Sequence, residues 1–251
     1  MLNRVLDFFR GQGSQQPIPW SDRRAAVVLA RFPVLVALDQ GRRNQVLGRA
    51  REILASKTFV GGSGYRPSVD DCLSVALLAA LPVLQRGLAW YGDFHTFVLY
   101  PEAFLAELEE VDDDGLIHRS RDLRAGEAWN HGPVILAMSD VWASGQGEGF
   151  NVVVHELAHQ IDHRNGEANG FPPLPAGMAW ERWTKTFSAA YADLLDQIEH
   201  GREPGLDPYA AESPAEFFAV ASEVYFDLPE WLPVAYPELH AELSALYGPW
   251  P

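Results

Sequence analysis

The chain predicts an α+β fold, mostly helical with a small mixed sheet, on three observations. Apolar residues recur at helical spacing in both halves, from Arg24 to Leu38 and again from Trp180 to Glu199. Apolar and β-branched runs of strand length are grouped in the middle, between Phe97 and Met138. Hydrophobic residues make up 47% of 251 residues, enough for one sizeable core.

The elements follow in order. Residues 1–20 read as a short N-terminal helix and a polar linker, Gly11 to Pro19, ahead of a single domain spanning 21–251. Helices are expected over Arg24 to Leu38 and Arg42 to Ser56, then a loop over Gly61 to Gly64. Ser68 caps a helix to about Leu81, with Asp70 and Asp71 in its first turn and Pro82 at its end. Strands are expected at Phe97–Tyr100, Ile117–Arg121 and Pro133–Met138. Gly145 to Gly149 reads as a flexible loop. Asn151 caps a helix over Val152–Asn165 that Gly166 ends. A Pro- and Gly-rich loop, Ala168 to Met178, leads to the helix Trp180–Glu199. Two more helices begin at Ser213 and Pro237.

Charge narrows the function. Nineteen Lys and Arg face thirty-four Asp and Glu, a net charge of -15. Such a chain repels phosphate backbones and anionic bilayers, so neither nucleic acid nor membrane is expected as a direct partner. No apolar run is long enough to cross a membrane, and Met1–Arg10 lacks the apolar core of a secretory signal. The one cysteine, Cys72, suits a cytoplasmic location and excludes a Cys-based metal knuckle. Cys72 itself lies in an apolar helical run and reads as a small buried residue. Any metal site must therefore use His and carboxylates.

The run His155-Glu156-Leu157-Ala158-His159 meets that condition. On a helix, His155 and His159 lie about 40° apart and one turn along, roughly 6 Å, within reach of one ion. Glu156 sits beside them, placed to act on a water. Val154, Leu157, Ala158 and Ile161 fall on the opposite, apolar face. A zinc hydrolase needs a third ligand and an open position. Asp162 and His163 are on the same helix but too far from His155; support of a ligand, or a helix-terminal salt bridge, suits Asp162 better. Downstream, Ser213-Pro214-Ala215-Glu216 reads equally as a capping box and as a source of the third ligand. Glu223, two turns on, is a competing ligand or an acceptor for an imidazole N–H. Asp112 to Gly115 reads as an exposed turn lacking calcium-loop spacing. The remaining histidines, His95, His118, His131, His200 and His240, have no metal spacing. Trp129 and His131 precede a strand and are candidates for lining a cleft.

His155-Glu-Leu-Ala-His-Gln-Ile-Asp162, paired with Asp207-Pro-Tyr-Ala-Ala-Glu-Ser-Pro-Ala-Glu-Phe-Phe-Ala219, resembles the Mlc titration factor A family of zinc peptidases. Gly132-Pro-Val-Ile-Leu and Phe59-Val-Gly-Gly resemble it too, and the likeness runs from about Arg31 to Tyr225. The resemblance implies a zincin-like domain similar to the peptidase domain of anthrax lethal factor. It implies one Zn2+ held by His155, His159 and Glu216, and a catalytic tyrosine at Tyr209. Asp207 falls where members can carry a further acid. Val220 departs from the carboxylate or amide that many glutamate-ligand zincins carry four residues after the ligand, which leaves Glu223 or Asp162 to support an imidazole. The family also implies aminopeptidase activity and a transcriptional repressor as partner.

The expected reaction is hydrolysis of a peptide substrate, with water at the open zinc position and Glu156 as its general base. The strand Val134 to Met138 is expected to offer its backbone to an extended peptide. The apolar, Pro-rich segment from Trp231 to Pro251 is a candidate for covering the cleft. The alternative function is a regulator that sequesters a repressor, with the zinc site secondary.

Overall fold

The computed structural model describes residues 18–92, 94–102 and 132–251 with their side chains, and the backbone of strands between 104 and 128. The expected N-terminal helix, most of its linker, Asp112–Gly115, Trp129 and His131 lie outside the described residues.

Helix α1 (Asp22–Leu29) begins on Ser21, whose hydroxyl accepts from the Arg24 N–H. The single helix expected to Leu38 breaks before Pro33. Phe32 is extended (φ -111, ψ 101), because the proline ring disfavours helical backbone in the residue before it. One turn, α2 (Pro33–Val36), follows, then α3 (Gln40–Ser56), capped by Asp39. A strand that the sequence reading lacked, β1 (Thr58–Gly61), precedes the expected loop and takes in its first residue. Just beyond it Gly62 lies against the Tyr100 ring, where a Cβ would come within 2.2 Å. Helix α4 (Val69–Ala79) opens with a reciprocal capping box between Ser68 and Asp71. Asp70 binds Arg24 and Arg31 at 2.6 and 2.7 Å and so fastens α1 to α4. Cys72 is buried in α4, and burial pushes its thiol up to about 12.

Five strands follow: β2 (Thr96–Tyr100), β3 (Phe104–Val111), β4 (Ile117–Arg124), β5 (Gly126–Ala128) and β6 (Val134–Ala137). One sheet has the order β1-β2-β6-β5, with β1, β2 and β6 parallel and β5 antiparallel to β6. The pair β3–β4 forms a separate antiparallel hairpin. Phe59 and Phe97 are register partners and their rings stack at 5.1 Å. The strand expected to Met138 stops at Ala137. Met138 instead opens a helix, α5 (Met138–Ala143), with Asp140 in its first turn; a short apolar run fits either structure. Strand β6 is bonded on both sides, so its backbone is not free for a peptide. The sheet's edges are β1 and β5.

Helix α6 (Val152–Asp162) packs on β5 and β6, on α4, and on α8. A 3-10 turn, His163–Asn165, extends it to Gly166, and α7 (Trp180–Glu199) has the expected bounds. The 3-10 turn Pro208–Ala211 leads into α8 (Pro214–Asp227), followed by α9 (Leu232–Ala235) and α10 (Pro237–Tyr247).

Helix α8 is buried on every side from Phe217 to Asp227. One face turns Glu216, Val220, Glu223 and Val224 towards a cleft. The face about 180° away carries Phe218, Ser222 and Tyr225. Phe218 stacks on Tyr247, Ser222 Oγ lies 2.8 Å from the Tyr247 hydroxyl, and the Tyr225 hydroxyl donates to the Gly248 carbonyl. The indole of Trp250 donates to the Phe226 carbonyl at 2.9 Å. The C-terminal segment is therefore pinned behind α8. No described residue after Leu228 lines the cleft, so the expected occlusion does not occur.

Phe218 joins α8 to α7 through Trp183 and Phe187 and to α10 through Tyr247. Phe218→Ala should cost about 3–5 kcal/mol of unfolding free energy in urea melts. A loss under about 1 kcal/mol would mean that these helices are not held together here.

Candidate metal centre

The centre is built where α6 meets α8. Asn151 caps α6 by accepting from the Val154 N–H at 3.2 Å. His155 and His159, one turn apart on the face away from the apolar core, bring their ring centroids to 4.8 Å. Ser213 caps α8 by accepting the backbone N–H of Glu216 at 3.2 Å. That bond uses only the Glu216 backbone, and the Glu216 carboxylate lies on the imidazoles. Only the Ser213 half of the expected capping box is therefore formed; the return bond from the Glu216 carboxylate is replaced by its contacts with the imidazoles.

Glu216 Oε2 is 3.0 Å from His155 Nε2 and 3.2 Å from His159 Nε2, and the two nitrogens are 3.2 Å apart. These three atoms form a nearly equilateral triangle. A tetrahedral ion with ligands about 2.0–2.1 Å away spaces them about 3.3–3.4 Å apart, so the set fits a four-coordinate divalent metal with one position open. Glu156 is buried beside His155 and lines the same cleft.

Glu223 is buried and its Oε1 lies 2.7 Å from His155 Nδ1. Val220, between the two glutamates, is apolar cleft wall. Asp162 does not join the triangle. Its Oδ2 accepts from the N–H groups of Asn169 and Gly170 at 2.8 and 2.6 Å. Gly170 in turn lies so close to α8 that a Cβ there would come within 2.4 Å of the Pro214 carbonyl. Asp162 thus ties the end of α6 to the start of α8. Asp207 accepts from the Tyr209 N–H at 2.9 Å, which shapes the turn that carries Tyr209. The Tyr209 ring is half-exposed, its centroid 5.9 Å from that of His155.

Sequence reasoning missed Asp227. Its buried carboxylate accepts from the Gly149 N–H at 2.7 Å across 78 residues, and no local pattern announces that contact. His163 lies at the helix end, 3.4 Å from the Gly166 carbonyl; His200 contacts Asp196 and His240 lies beside Tyr225. The cleft has a volume of about 1040 Å³. Glu148 and Phe150 line one side, Glu203 and Tyr209 another, and Val220 and Leu228 the α8 side.

Electrostatics agree with the geometry. Burial acts to lower the His155 pKa, but Glu216 and Glu223, bonded at its two nitrogens, outweigh that and hold it well above the usual imidazole range. Burial acts to raise the Glu216 pKa, but hydrogen bonds from both imidazoles hold it well below the usual carboxylate range. Without metal, the pair is an imidazolium against a carboxylate.

An α+β fold with paired helix-borne histidines, an adjacent glutamate and a third carboxylate from a second helix defines a metallopeptidase-like domain. The chain belongs to the family described as glucose-regulated metallo-peptidase M90, whose model matches residues 9–248. It is similar to the Mlc titration factor A of Cronobacter sakazakii, 35% identical over 234 residues, covering 92% of this chain and 86% of the relative. The Mlc titration factor A of Escherichia fergusonii is 34% identical over 233 residues (92% and 85%), and that of Salmonella gallinarum 35% over 236 (91% and 85%).

The pKa directions set opposite pH trends with and without metal. The raised His155 pKa stabilises the metal-free fold fully below the ordinary imidazole value of 6.5, and this is lost as pH rises through the raised value. The lowered Glu216 pKa stabilises above the ordinary carboxylate value of 4.5 and is lost on acidification. Metal needs the imidazoles deprotonated, so the Tm gained on adding zinc should grow between about pH 6 and pH 8. A gain independent of pH would count against these ligands.

Proposed function

We propose that the protein is a zinc-dependent, aminopeptidase-like peptidase of zincin-like architecture. The observation that carries this reading is the triangle of His155 Nε2, His159 Nε2 and Glu216 Oε2 with Glu156 beside it. Two imidazoles and one carboxylate suit zinc better than calcium or magnesium. A structural metal would have no use for Glu156, whereas a hydrolase requires a base there.

A zinc ion held by these three groups supplies Lewis acidity towards a water and towards the scissile carbonyl. Glu156 takes the proton of the attacking water and delivers it to the leaving amine. Tyr209 donates to the oxyanion that develops on the carbonyl. Glu223 keeps the proton of His155 on Nδ1, so that Nε2 presents its lone pair to the metal. Asp162 and Asp207 act at one remove, the first holding the end of α6 and the second the turn bearing Tyr209. An extended peptide adds to the open edge of β5, the strand next to α6. Glu148, Glu203, Asp207 and Glu212 also line the cleft, with no Lys or Arg among the described lining residues. This charge suits a substrate with a free amino terminus.

A second reading draws on the relatives' name, titration factor for Mlc. On that reading the chain binds a transcriptional repressor as its partner, with the centre secondary. The two readings separate by experiment.

Purified protein should contain about one zinc per chain, and chelation should abolish cleavage of amino-acid anilides. Glu156→Gln should retain zinc and lose kcat by about 10²-fold or more. Full activity in that variant would refute the mechanism. Tyr209→Phe should lower kcat by about 10²–10³ with zinc content unchanged. Repressor capture by wild type and Glu156→Gln alike, with no peptide cleaved, would favour the regulator.

A further inference from the structure

One wall of the cleft is the segment from Gly145 to Phe150, which presents Glu148, Gly149 and Phe150 to it. Its backbone is unusual: Gly145, Gly147 and Gly149 have φ of 70, 83 and 83. Glycine adopts this conformation freely but does not hold it, so the segment's shape must be fixed from outside. The Gly145 N–H closes the loop on the Phe150 carbonyl at 3.0 Å. The other anchors come from α8. Asp227 faces the N–H groups of Gly147, Glu148 and Gly149, of which Gly149 donates at 2.7 Å. Glu223 Oε2 accepts from the Asn151 N–H at 2.5 Å, while its Oε1 lies 2.7 Å from His155 Nδ1. The two carboxylates are four residues apart on α8 and both are buried.

From this geometry we infer that Asp227 and Glu223 are positioning residues that latch the Gly145–Phe150 wall onto α8, and that Glu223 couples this latch to occupancy of the metal centre. The coupling rests on the metal-site reading given above; the Asp227 half does not. Glu223 is the only described group that touches both the loop's end and a member of the triangle. A metal on Nε2 would fix the orientation of the His155 ring, and Glu223 holds the other ring nitrogen at 2.7 Å. Without metal, Nε2 is held by hydrogen bonding alone, so the ring is less firmly oriented. Glu223 follows the ring through Oε1, and its Oε2 then holds the Asn151 N–H less firmly. The wall facing the substrate is thus ordered when the centre is filled.

Site-resolved amide hydrogen exchange of the full chain, zinc-loaded and chelated, tests this. In wild type, chelation should speed exchange at Asn151, whose N–H bonds Glu223, by about tenfold or more, the effect of losing one charge-assisted hydrogen bond. Glu223→Gln offers one acceptor oxygen where two are needed. It should weaken zinc binding about 10–100-fold and abolish the zinc dependence of the loop's exchange. Asp227→Ala should speed exchange across 147–149 with zinc bound, and Asp227→Asn, which keeps an acceptor for Gly149, should restore protection. Circular dichroism melts confirm that each variant folds. Zinc that binds without altering loop exchange in wild type overturns the coupling. Identical loop exchange in Asp227→Ala and wild type overturns the latch. Failure to bind zinc at all overturns the reading of the centre and the coupling with it, while Asp227→Ala against Asp227→Asn still decides the latch in the metal-free protein.

Discussion

Three atoms from two helices that are about sixty residues apart in sequence must meet within 3.2 Å, and all three sit on polar groups that prefer water. Glu216 and Glu223 come from α8, and Glu156 from α6, all at least partly withdrawn from solvent. Carboxylates so gathered repel one another and lose hydration, at a cost of several kcal/mol per ion unless compensated. His155 supplies the compensation in the metal-free protein by bonding Glu216 at one nitrogen and Glu223 at the other. A divalent ion would supply more. The centre is therefore a destabilised spot that the surrounding packing must hold rigid.

The packing is arranged for that. Helix α8 is buried on every face from Phe217 onwards, and α10 with the final residues closes over its back. Helix α6 has Val152, Val153, Val154, Leu157, Ala158 and Ile161 buried against the sheet, α4 and α8. Trp183 connects the two layers. Its ring stacks on Phe187 at 3.9 Å and its N–H donates to the Gly170 carbonyl. Gly170 lies on the loop held by Asp162, so aromatic packing and the buried carboxylate fix the same backbone. Neither α6 nor α8 can move without disturbing a dense apolar cluster, which is what keeps the three atoms of the triangle in place.

Features with a local physical cause were legible in the sequence. Ser68, Asn151 and Ser213 marked helix starts because a side-chain oxygen there answers an unpaired N–H. His155 and His159 were legible because helical spacing alone brings them together. Features set by distant partners were not. Strand β5 is three residues long and owes its existence to β6. The free edge of the sheet was misplaced onto Val134–Met138 because one strand's sequence does not say how many neighbours it has. Helix α5 followed a strand without a break, and apolar runs of that length serve both structures. The break at Phe32 was legible through Pro33, and helical spacing to Leu38 masked it. Glu216 was ambiguous because a glutamate at that spacing can turn its carboxylate back onto the helix start or out towards another element, and the imidazoles of α6 decide which.

The position of Glu223 is where these strands of reasoning meet. Counting from Glu216, residues four and seven along α8 both return to the same face, at about +40° and -20°. A carboxylate at four would sit about one turn from Glu216; at seven it sits about 10 Å along the axis. The nearer position is Val220, which lines the cleft as apolar wall. The farther position lies level with the first turn of α6, where His155 Nδ1 and the Asn151 N–H come together. Only there can one carboxylate serve a ring nitrogen with one oxygen and a backbone N–H with the other. Moving the support by one turn thus does two things at once. It opens an apolar surface directly beside the centre, and it joins the orientation of the first histidine to the backbone that shapes the cleft.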